Sequence, residues 1–287
     1  MKWFLKILIK IIISRFPLPY RFWKLIGFFK HGSMDSCEYA IKIFNLHFNR
    51  AFPYQIPSSL KILELGPGDS AASAIIGYAY GVSCTYLVDI DNFATQDIAY
   101  YKKLALLLKS KGLNPPNLSA VSSFNELLRI SNAIYLPNGL SSLKTIEEKS
   151  IDFIWSHSVL EHIRKQQFCE IVKELKRITK CNGINSHSID FQDHLDHSLN
   201  NLRFEERIWE SKLFVRSGFY TNRIPAVKMH SIFRKIGFSV ERESFGKWPE
   251  LPIQRSKMHQ DFDMYNDKEL INRTSYILLR NNLEGND

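Results

Sequence analysis

Cysteine is scarce: Cys37, Cys84, Cys169 and Cys181 are spread through 287 residues. They show neither the density of a disulfide scaffold nor a C-x-x-C pair, so a reducing, cytoplasmic compartment is expected and no zinc site is suggested. Internal repeats and low-complexity tracts are also lacking, which removes repeat architectures. Long apolar runs are missing too. The most hydrophobic stretch, "MKWFLKILIKIIISRF", is broken by lysine every fourth residue and falls short of the about 18 apolar residues of a spanning helix. The same lysines, and the lack of a small-residue cleavage site before "RFPLPYRFW", argue against a secretory signal.

Acid is absent from residues 1–34, which hold Lys2, Lys6, Lys10, Arg15, Arg21, Lys24 and Lys30. Those seven charges account for most of the net +9 and leave only +2 for the rest of the chain. A nucleic-acid groove needs its basic residues on the folded body, so a nucleic-acid partner is not expected. Lys2, Lys6 and Lys10 fall on one helical face, surrounded by Trp3, Phe4, Leu5, Ile7, Leu8, Ile9 and Ile11 to Ile13. The pattern suits an interfacial helix on an anionic membrane surface, reached through residues 1–30, against the alternative of a helix packed on the core. Pro17 and Pro19 end it.

What is present is a 45% hydrophobic, 13% aromatic chain able to bury a full core. Residues 35–60 read as a lead-in helix and a proline-containing link. From residue 61, strands and helices alternate: "LKILEL", a helix over "DSAASAIIGYAYG" with Asp69 or Ser70 as its cap, "SCTYLVDID", "DIAYYKKLALLLKSKG", "NAIYLPNG", "SIDFIWSHS", "KQQFCEIVKELKRITK" and, after a stop at "CNG", "INSHSID". Such alternation predicts an α/β, Rossmann-like, mainly parallel sheet covered on both faces. The expected organisation is a basic amphipathic segment (1–34), the lead-in (35–60), an α/β core (61–195), a polar and aromatic substrate-side insertion (196–225), and a helix and strands that complete the sheet (226–287).

The turn after the first strand, "GPGDSA", fits G-x-G-x-x-A, which alone is weak evidence for a dinucleotide. Pro67 lacks the N–H that a pyrophosphate needs, and Asp69 would repel it. S-adenosylmethionine carries no phosphate but has an ammonium, a sulfonium and a ribose diol, so Glu64 and Asp69 become favourable neighbours. Asp89, at the end of the second strand, is placed to accept from both ribose hydroxyls, with Asp91 as its competitor.

At these residues "ILELGPGDS", "YLVDID", "SIDFIWSHSVLEHI" and "ELKRITKCNG" resemble, in order, the motifs of class I S-adenosylmethionine-dependent methyltransferases over about residues 60–190. That resemblance implies a seven-stranded sheet with one antiparallel edge strand and S-adenosyl-L-methionine as cofactor. The cofactor contacts are expected at Glu64, Gly66, Pro67, Gly68, Asp69, Ser70, Asp89, Ile90 and Ser156. "HGSMDSCEYA", "SHSIDFQDH" and "LNNLRFEERIWES" further resemble a bacterial subgroup associated with surface-polysaccharide and glycan genes. An O-methyltransferase for a glycan or lipid-linked glycan at the cytoplasmic membrane face is the leading reading. A methyltransferase for another small hydroxylated metabolite, or a non-catalytic membrane-associated module, are the alternatives.

Methyl transfer to a hydroxyl needs a positioned nucleophile and a base. Candidates follow the fourth and fifth strands: His194 first, oriented by Asp190 or Asp193, then His187 in reserve, with His157 as a base or a cofactor-lining group. Glu161 and His162 read equally as structural. Some quinone-biosynthesis relatives bind a metal through an acid at the position of Ser158, which is absent here, so no metal is expected. "DFQDHLDH", with Asp190, Asp193, His194 and His197, is the alternative metal set. Trp209, Phe214, Phe219 and Tyr220 read as packing or, with Asn200, Asn201, Arg203, Asn222 and Arg223, as a sugar grip.

Overall fold

The computed structural model describes residues 3–15 and 34–282. Seven strands form one sheet: β1 (Lys61–Leu65), β2 (Cys84–Val88), β3 (Ala133–Leu136), β4 (Ile151–His157), β5 (Thr179–Asp190), β6 (Ser239–Lys247) and β7 (Asn272–Arg280). Their order is β3-β2-β1-β4-β5-β7-β6. The pairs from β3 to β5 are parallel, while β7 runs antiparallel to both β5 and β6. The expected antiparallel strand is thus inserted next to the edge, and the edge itself is β6. This is a Rossmann-like, doubly wound sheet of the kind the resemblance implies, with its switch in strand order between β1 and β4.

The chain adopts this arrangement because the central strands are apolar on both faces. Ile62, Phe153, Trp155 and Leu278 join one buried cluster, and Leu63, Ile154, Ile189 and Ile277 join the other. Helices α2 (Cys37–Ala51), α3 (Ala72–Ala79), α4 (Ile98–Ser110) and the short α5 (Phe124–Ile130) cover the first face. On the second lie α6 (Gly139–Thr145), α7 (Lys165–Ile178) and α10 (Ala226–Lys235). Phe168, Ile171, Val172, Leu175 and Ile178 are the buried face of α7, as their spacing predicts. The expected stop at "CNG" does not occur. Helix α7 passes directly into β5 at Thr179, whose hydroxyl bonds the Leu175 carbonyl, and Asn182 takes a positive φ of 62° beside the shift in β4–β5 register.

The cap expected at Asp69 or Ser70 is also different. Ala71 occupies the N-cap of α3, and its N–H is taken by the Tyr101 hydroxyl at 3.0 Å. Ser70 instead donates to the Met34 carbonyl at 2.6 Å.

Between β5 and α10 the chain forms a 3₁₀ turn and two single-turn helices, α8 (Glu206–Trp209) and α9 (Lys212–Val215). Trp209, Phe214, Phe219, Tyr220 and Leu195 make a separate small core there, and α1 (Trp3–Ile13) docks on it through Ile7, Trp3 and Ile11. The orientation of α1 departs from the expected lipid-facing lysines. Lys6 donates to the Leu195 carbonyl and approaches Asp196 at 3.4 Å, while Lys10 reaches the Gly218 carbonyl at 3.4 Å. The body offers these ammonium groups carbonyl and carboxylate partners, so the lysine face turns inward. Leu5, Leu8 and Ile12 are left on the exposed side. Lys2, Pro17, Pro19, Arg21, Lys24 and Lys30 lie outside the described residues. A short capping-box helix, α11 (Asp267–Leu270), precedes β7.

The docking of α1 is testable by contrast. Ile7→Ala should weaken it by about 2 kcal/mol or more, whereas Leu8→Ala on the exposed face should change it by less than about 0.5 kcal/mol. Amide hydrogen exchange over residues 3–13 reads both; equal protection in the two variants would contradict this packing.

Candidate functional site

The carboxyl ends of β1, β2 and β4 meet at the switch point. After Leu65 the chain turns through Gly66 at φ +73° and Gly68 at φ +62°, with buried Pro67 between them. A Cβ on Gly66 would stand 2.5 Å from Cγ2 of Val159, so only glycine lets this loop cross the turn after β4. Gly68 N–H donates to Oδ2 of Asp89 at 2.9 Å, and Ile90 N–H donates to Oδ1 at 2.7 Å. One carboxylate therefore holds the glycine loop against the end of β2. Burial, with added repulsion from Asp91 and Asp69, pushes the Asp89 carboxyl up to about 6, against the pull of those two N–H groups. Asp91, the competitor, is exposed and accepts from the next residue's N–H.

Glu64 lies beneath this loop, nearly fully buried, with Oε2 lacking a hydrogen-bond partner. Burial, with a smaller contribution from nearby Asp89, pushes its carboxyl up to about 8 against the opposing pull of a Ser73 hydrogen bond. Ile90, 77% exposed, stands on the rim beside Gly139. Asp69 and Ser70 are fully buried: the Asp69 carbonyl accepts from Thr95 N–H, and Ser70 bonds Met34 and receives the Tyr100 hydroxyl. These two residues shape the loop from inside. Ser156 is likewise internal, bonded to Nδ1 of His187 at 2.8 Å.

The donor set suits a positively charged nucleoside better than a phosphate. Pro67 supplies no N–H, Gly68 N–H is committed to Asp89, and Ala71 N–H to Tyr101. A buried carboxylate with Oε2 unpartnered, a second carboxylate at the end of β2 and the exposed Ile90 beside Gly139 match the ammonium, ribose diol and base of S-adenosylmethionine. On these observations the residues fit that group.

Among the base candidates, His157 ends β4. Glu64 pairs in register with Trp155, so His157, two residues further, shares its face and lies level with Gly66. Its Nδ1 is 3.2 Å from Nε2 of His47 on α2. His187 is corrected from the expected position: it is fully buried mid-sheet, stacked on Phe233 and held far below the ordinary imidazole range, at about 3, by burial and then His230. It has no access to the crevice. His194 stacks on His162 with ring centroids 4.8 Å apart; burial, then His162, Lys10 and His197, push it down to about 3.

Neither carboxylate pairs with His194 as expected. Asp193 accepts from the N–H groups of Leu195, Asp196 and Asn200, and Asp190 accepts from Gln192, so both organise their own loop. Glu161 and His162 tie the turn after β4 to its neighbours: one Glu161 oxygen accepts from Asp190 N–H at 3.2 Å while Oε2 has no partner, and His162 Nδ1 donates to the Tyr220 carbonyl at 3.0 Å. Of the two readings of the insertion, packing describes Trp209, Phe214, Phe219 and Tyr220, which form one buried cluster; Trp209 Nε1 donates to the Thr221 carbonyl, and Asn222 clamps the Leu160 and Ile163 carbonyls. A cavity of about 30 Å³, enough for a water or two, lies between Glu161, Asn201, Arg223 and Asn272 with Leu202 and Ile224 in its wall. Among the described residues no three His, Cys, Asp or Glu side chains are grouped to hold a metal ion.

His47 is the residue that sequence reasoning missed. It lies between Phe44 and Phe48 on the buried face of α2, where a lone histidine carries no pattern of its own. The only signal was a polar group on an otherwise apolar face.

No family model and no curated protein sequence matches the chain. Among solved structures, an S-adenosylmethionine-dependent methyltransferase from Methanosarcina mazei is 15% identical, with a TM-score of 0.44 over 80% of this chain and 95% of its own. A counterpart from Archaeoglobus fulgidus is 11% identical, with a TM-score of 0.44 over 84% and 94%. Phosphoethanolamine N-methyltransferase 2 of Haemonchus contortus, in complex with phosphomonomethylethanolamine and S-adenosylhomocysteine, is 13% identical, with a TM-score of 0.46 over 84% of this chain and 53% of that one. The fold itself rests on the strand order and register described above.

The raised Glu64 carboxyl makes a stability prediction. The folded state holds this proton from the ordinary carboxyl range, near 4.5, up to about 8, so its contribution is complete below that window and lost as pH rises through it. Glu161, at about 8, and Asp89, at about 6, act in the same sense. Glu64→Gln should therefore gain on the order of 1–3 kcal/mol over the parent at pH 8 and little at pH 4.5. Denaturant melts at both pH values check this; a variant that loses stability at pH 8 would contradict it.

Proposed function

We propose that the chain is an S-adenosylmethionine-dependent methyltransferase. The observation that carries this reading is the turn at the β1–β4 switch point, where Glu64 is buried without a partner for Oε2 and the N–H groups of Gly66, Gly68 and Ala71 are committed elsewhere. When bound, the cofactor supplies an electrophilic methyl group on sulfonium. Glu64 faces cationic charge and passes to its ionised form as the ligand's ammonium replaces its proton. Asp89 takes the ribose hydroxyls in reach of the carboxylate that already holds Gly68 and Ile90. Gly66 and Gly68 keep the loop free of side chains, and Ile90 offers its exposed face to the base. His157 is the group best situated to take a hydroxyl proton, because it ends β4 on the face and at the level of the crevice.

For the acceptor, we favour a hydroxyl of a glycan or lipid-linked glycan at the cytoplasmic membrane face. Two features support it: the resemblance of the "SHSIDFQDH" region to glycan-associated methyltransferases, and the apolar face of α1 that Leu5, Leu8 and Ile12 leave exposed beside the insertion. The membrane contact is thus assigned to the apolar face of α1, with the lysines bound to the body. Described helices include none long and apolar enough to cross a membrane.

The test combines binding with transfer. Asp89→Ala should weaken S-adenosylhomocysteine by at least about tenfold in calorimetry, the order expected for lost charged hydrogen bonds. Labelled methyl should pass to lipid-linked glycan in anionic vesicles in preference to a soluble catechol or RNA. An Asp89→Ala protein that binds like the parent would sink the cofactor site. Transfer to the soluble catechol alone would select the small-metabolite alternative, and binding without transfer the non-catalytic module.

A further inference from the structure

Three side chains that point from the sheet toward α2 form a buried line with a residue of that helix. His157 Nδ1 lies 3.2 Å from His47 Nε2, His47 Nδ1 lies 2.7 Å from the Ser186 hydroxyl, and that hydroxyl donates to the Tyr276 hydroxyl at 3.4 Å. His47 is fully buried and stacked on Trp155 with ring centroids 5.1 Å apart. Arg50, one helical turn on, sits 3.9 Å above the Tyr276 ring and closes the far end. His157, at the near end, is only partly buried, and among the described residues its Nε2 makes no hydrogen bond.

The histidine contacts alone leave the tautomers open. With the Ser186 hydroxyl turned to Tyr276, its oxygen accepts from His47 Nδ1, His47 Nε2 accepts from His157 Nδ1, and Nε2 of His157 is left bare. We propose that His47 is a positioning residue that holds His157 in the Nδ1–H tautomer, so that Nε2 of His157 receives the proton of the acceptor hydroxyl. This rests on the methyltransferase reading above and assigns its base.

The step balances. As the acceptor oxygen bonds to the methyl carbon, the carbon–sulfur bond breaks with its electron pair on sulfur, and the hydroxyl proton goes to Nε2. The imidazolium so formed donates its Nδ1–H to His47 Nε2, a neutral acceptor where other enzymes place a carboxylate. His47 stays neutral in this role: burial, then His157, His187 and Arg50, hold it well below the ordinary imidazole range. Burial and then Arg50 lower His157 as well, so it too is neutral and ready to accept near pH 7. The arrangement needs no acid beside the base, which agrees with Asp190 and Asp193 being committed to their own loop.

Ring-¹⁵N NMR of the full chain, without cofactor or acceptor, tests the pairing directly, because protonated and bare ring nitrogens resonate far apart. At pH 7.5, His157 should show a protonated Nδ1 and a bare Nε2. His47→Phe keeps a ring against Trp155 but removes the acceptor, and should return His157 to the Nε2–H form that a free imidazole favours. His47→Gln offers an amide oxygen near the position of Nε2 and should restore the parental tautomer. In turnover, His47→Phe should lose on the order of 10-fold or more in kcat with KM within about twofold, and His47→Gln should recover most of it. A parent His157 that carries Nε2–H overturns the proposal, as does a His47→Phe spectrum identical to the parent's. Should the Phe variant fail to fold, the parent spectrum decides alone. The stated tautomer in a protein that does not bind S-adenosylhomocysteine would uphold the pairing and remove the methyltransferase reading instead.

Discussion

The carboxylate of Asp89 is the tie on which the carboxyl edge of the sheet depends. Its two oxygens hold the N–H groups of Gly68 and Ile90, joining the turn after β1 to the end of β2. Gly66 has to cross within van der Waals reach of Val159, so the turn after β4 is fixed against the same loop. Two loops and a carboxylate therefore meet at one point above the sheet, with Glu64 buried at the end of β1 beneath them. The concentration of acid there has a physical cost, visible in carboxyls raised to about 8 and about 6, which a cationic ligand would reverse.

The second half of the molecule supports that edge from above. The "VLEHI" turn after β4 is tied to the insertion by Asn222, which takes the Leu160 and Ile163 carbonyls, and by His162 on the Tyr220 carbonyl. The insertion has its own aromatic core, and α1 completes that core through Ile7. Movement of α1 would thus be felt at Tyr220 and, through His162, at the turn that touches the glycine loop. Arg223, buried against Glu206 at 2.7 Å and donating to two carbonyls, gives the insertion a rigid base where it rejoins α10.

Much of this was legible in the sequence because the central strands are buried on both faces and bounded by turn residues. β1, β2 and β4 stand out as apolar runs, and α7 by its five core residues at helical spacing. Glu64, Asp89 and Pro67 were singled out by residue type alone, through two acids and a missing N–H, and the fold brings them to one turn. Contacts between distant segments were not. Periodicity marks two faces on α1 but cannot say which one meets protein, and the lysines turned inward because Leu195, Asp196 and Gly218 were there to receive them. Asp193 and Asp190 look like general-base partners in one dimension, yet a short polar loop has backbone N–H groups that claim such carboxylates first. His187 alternates with crevice-facing residues along β5, and a strand's period of two put it in the opposite core. His47 was invisible because its partners, His157 and Ser186, lie more than a hundred residues away.

The most direct measurement is calorimetric titration of S-adenosylhomocysteine near pH 7 in two buffers of different ionisation enthalpy. Glu64 enters with its proton and should leave it as the ligand's ammonium arrives, so binding should release up to about one proton per chain, and Glu64→Gln should abolish that release. Binding without proton release, no binding at all, or tighter binding of NAD would contradict the account of the crevice.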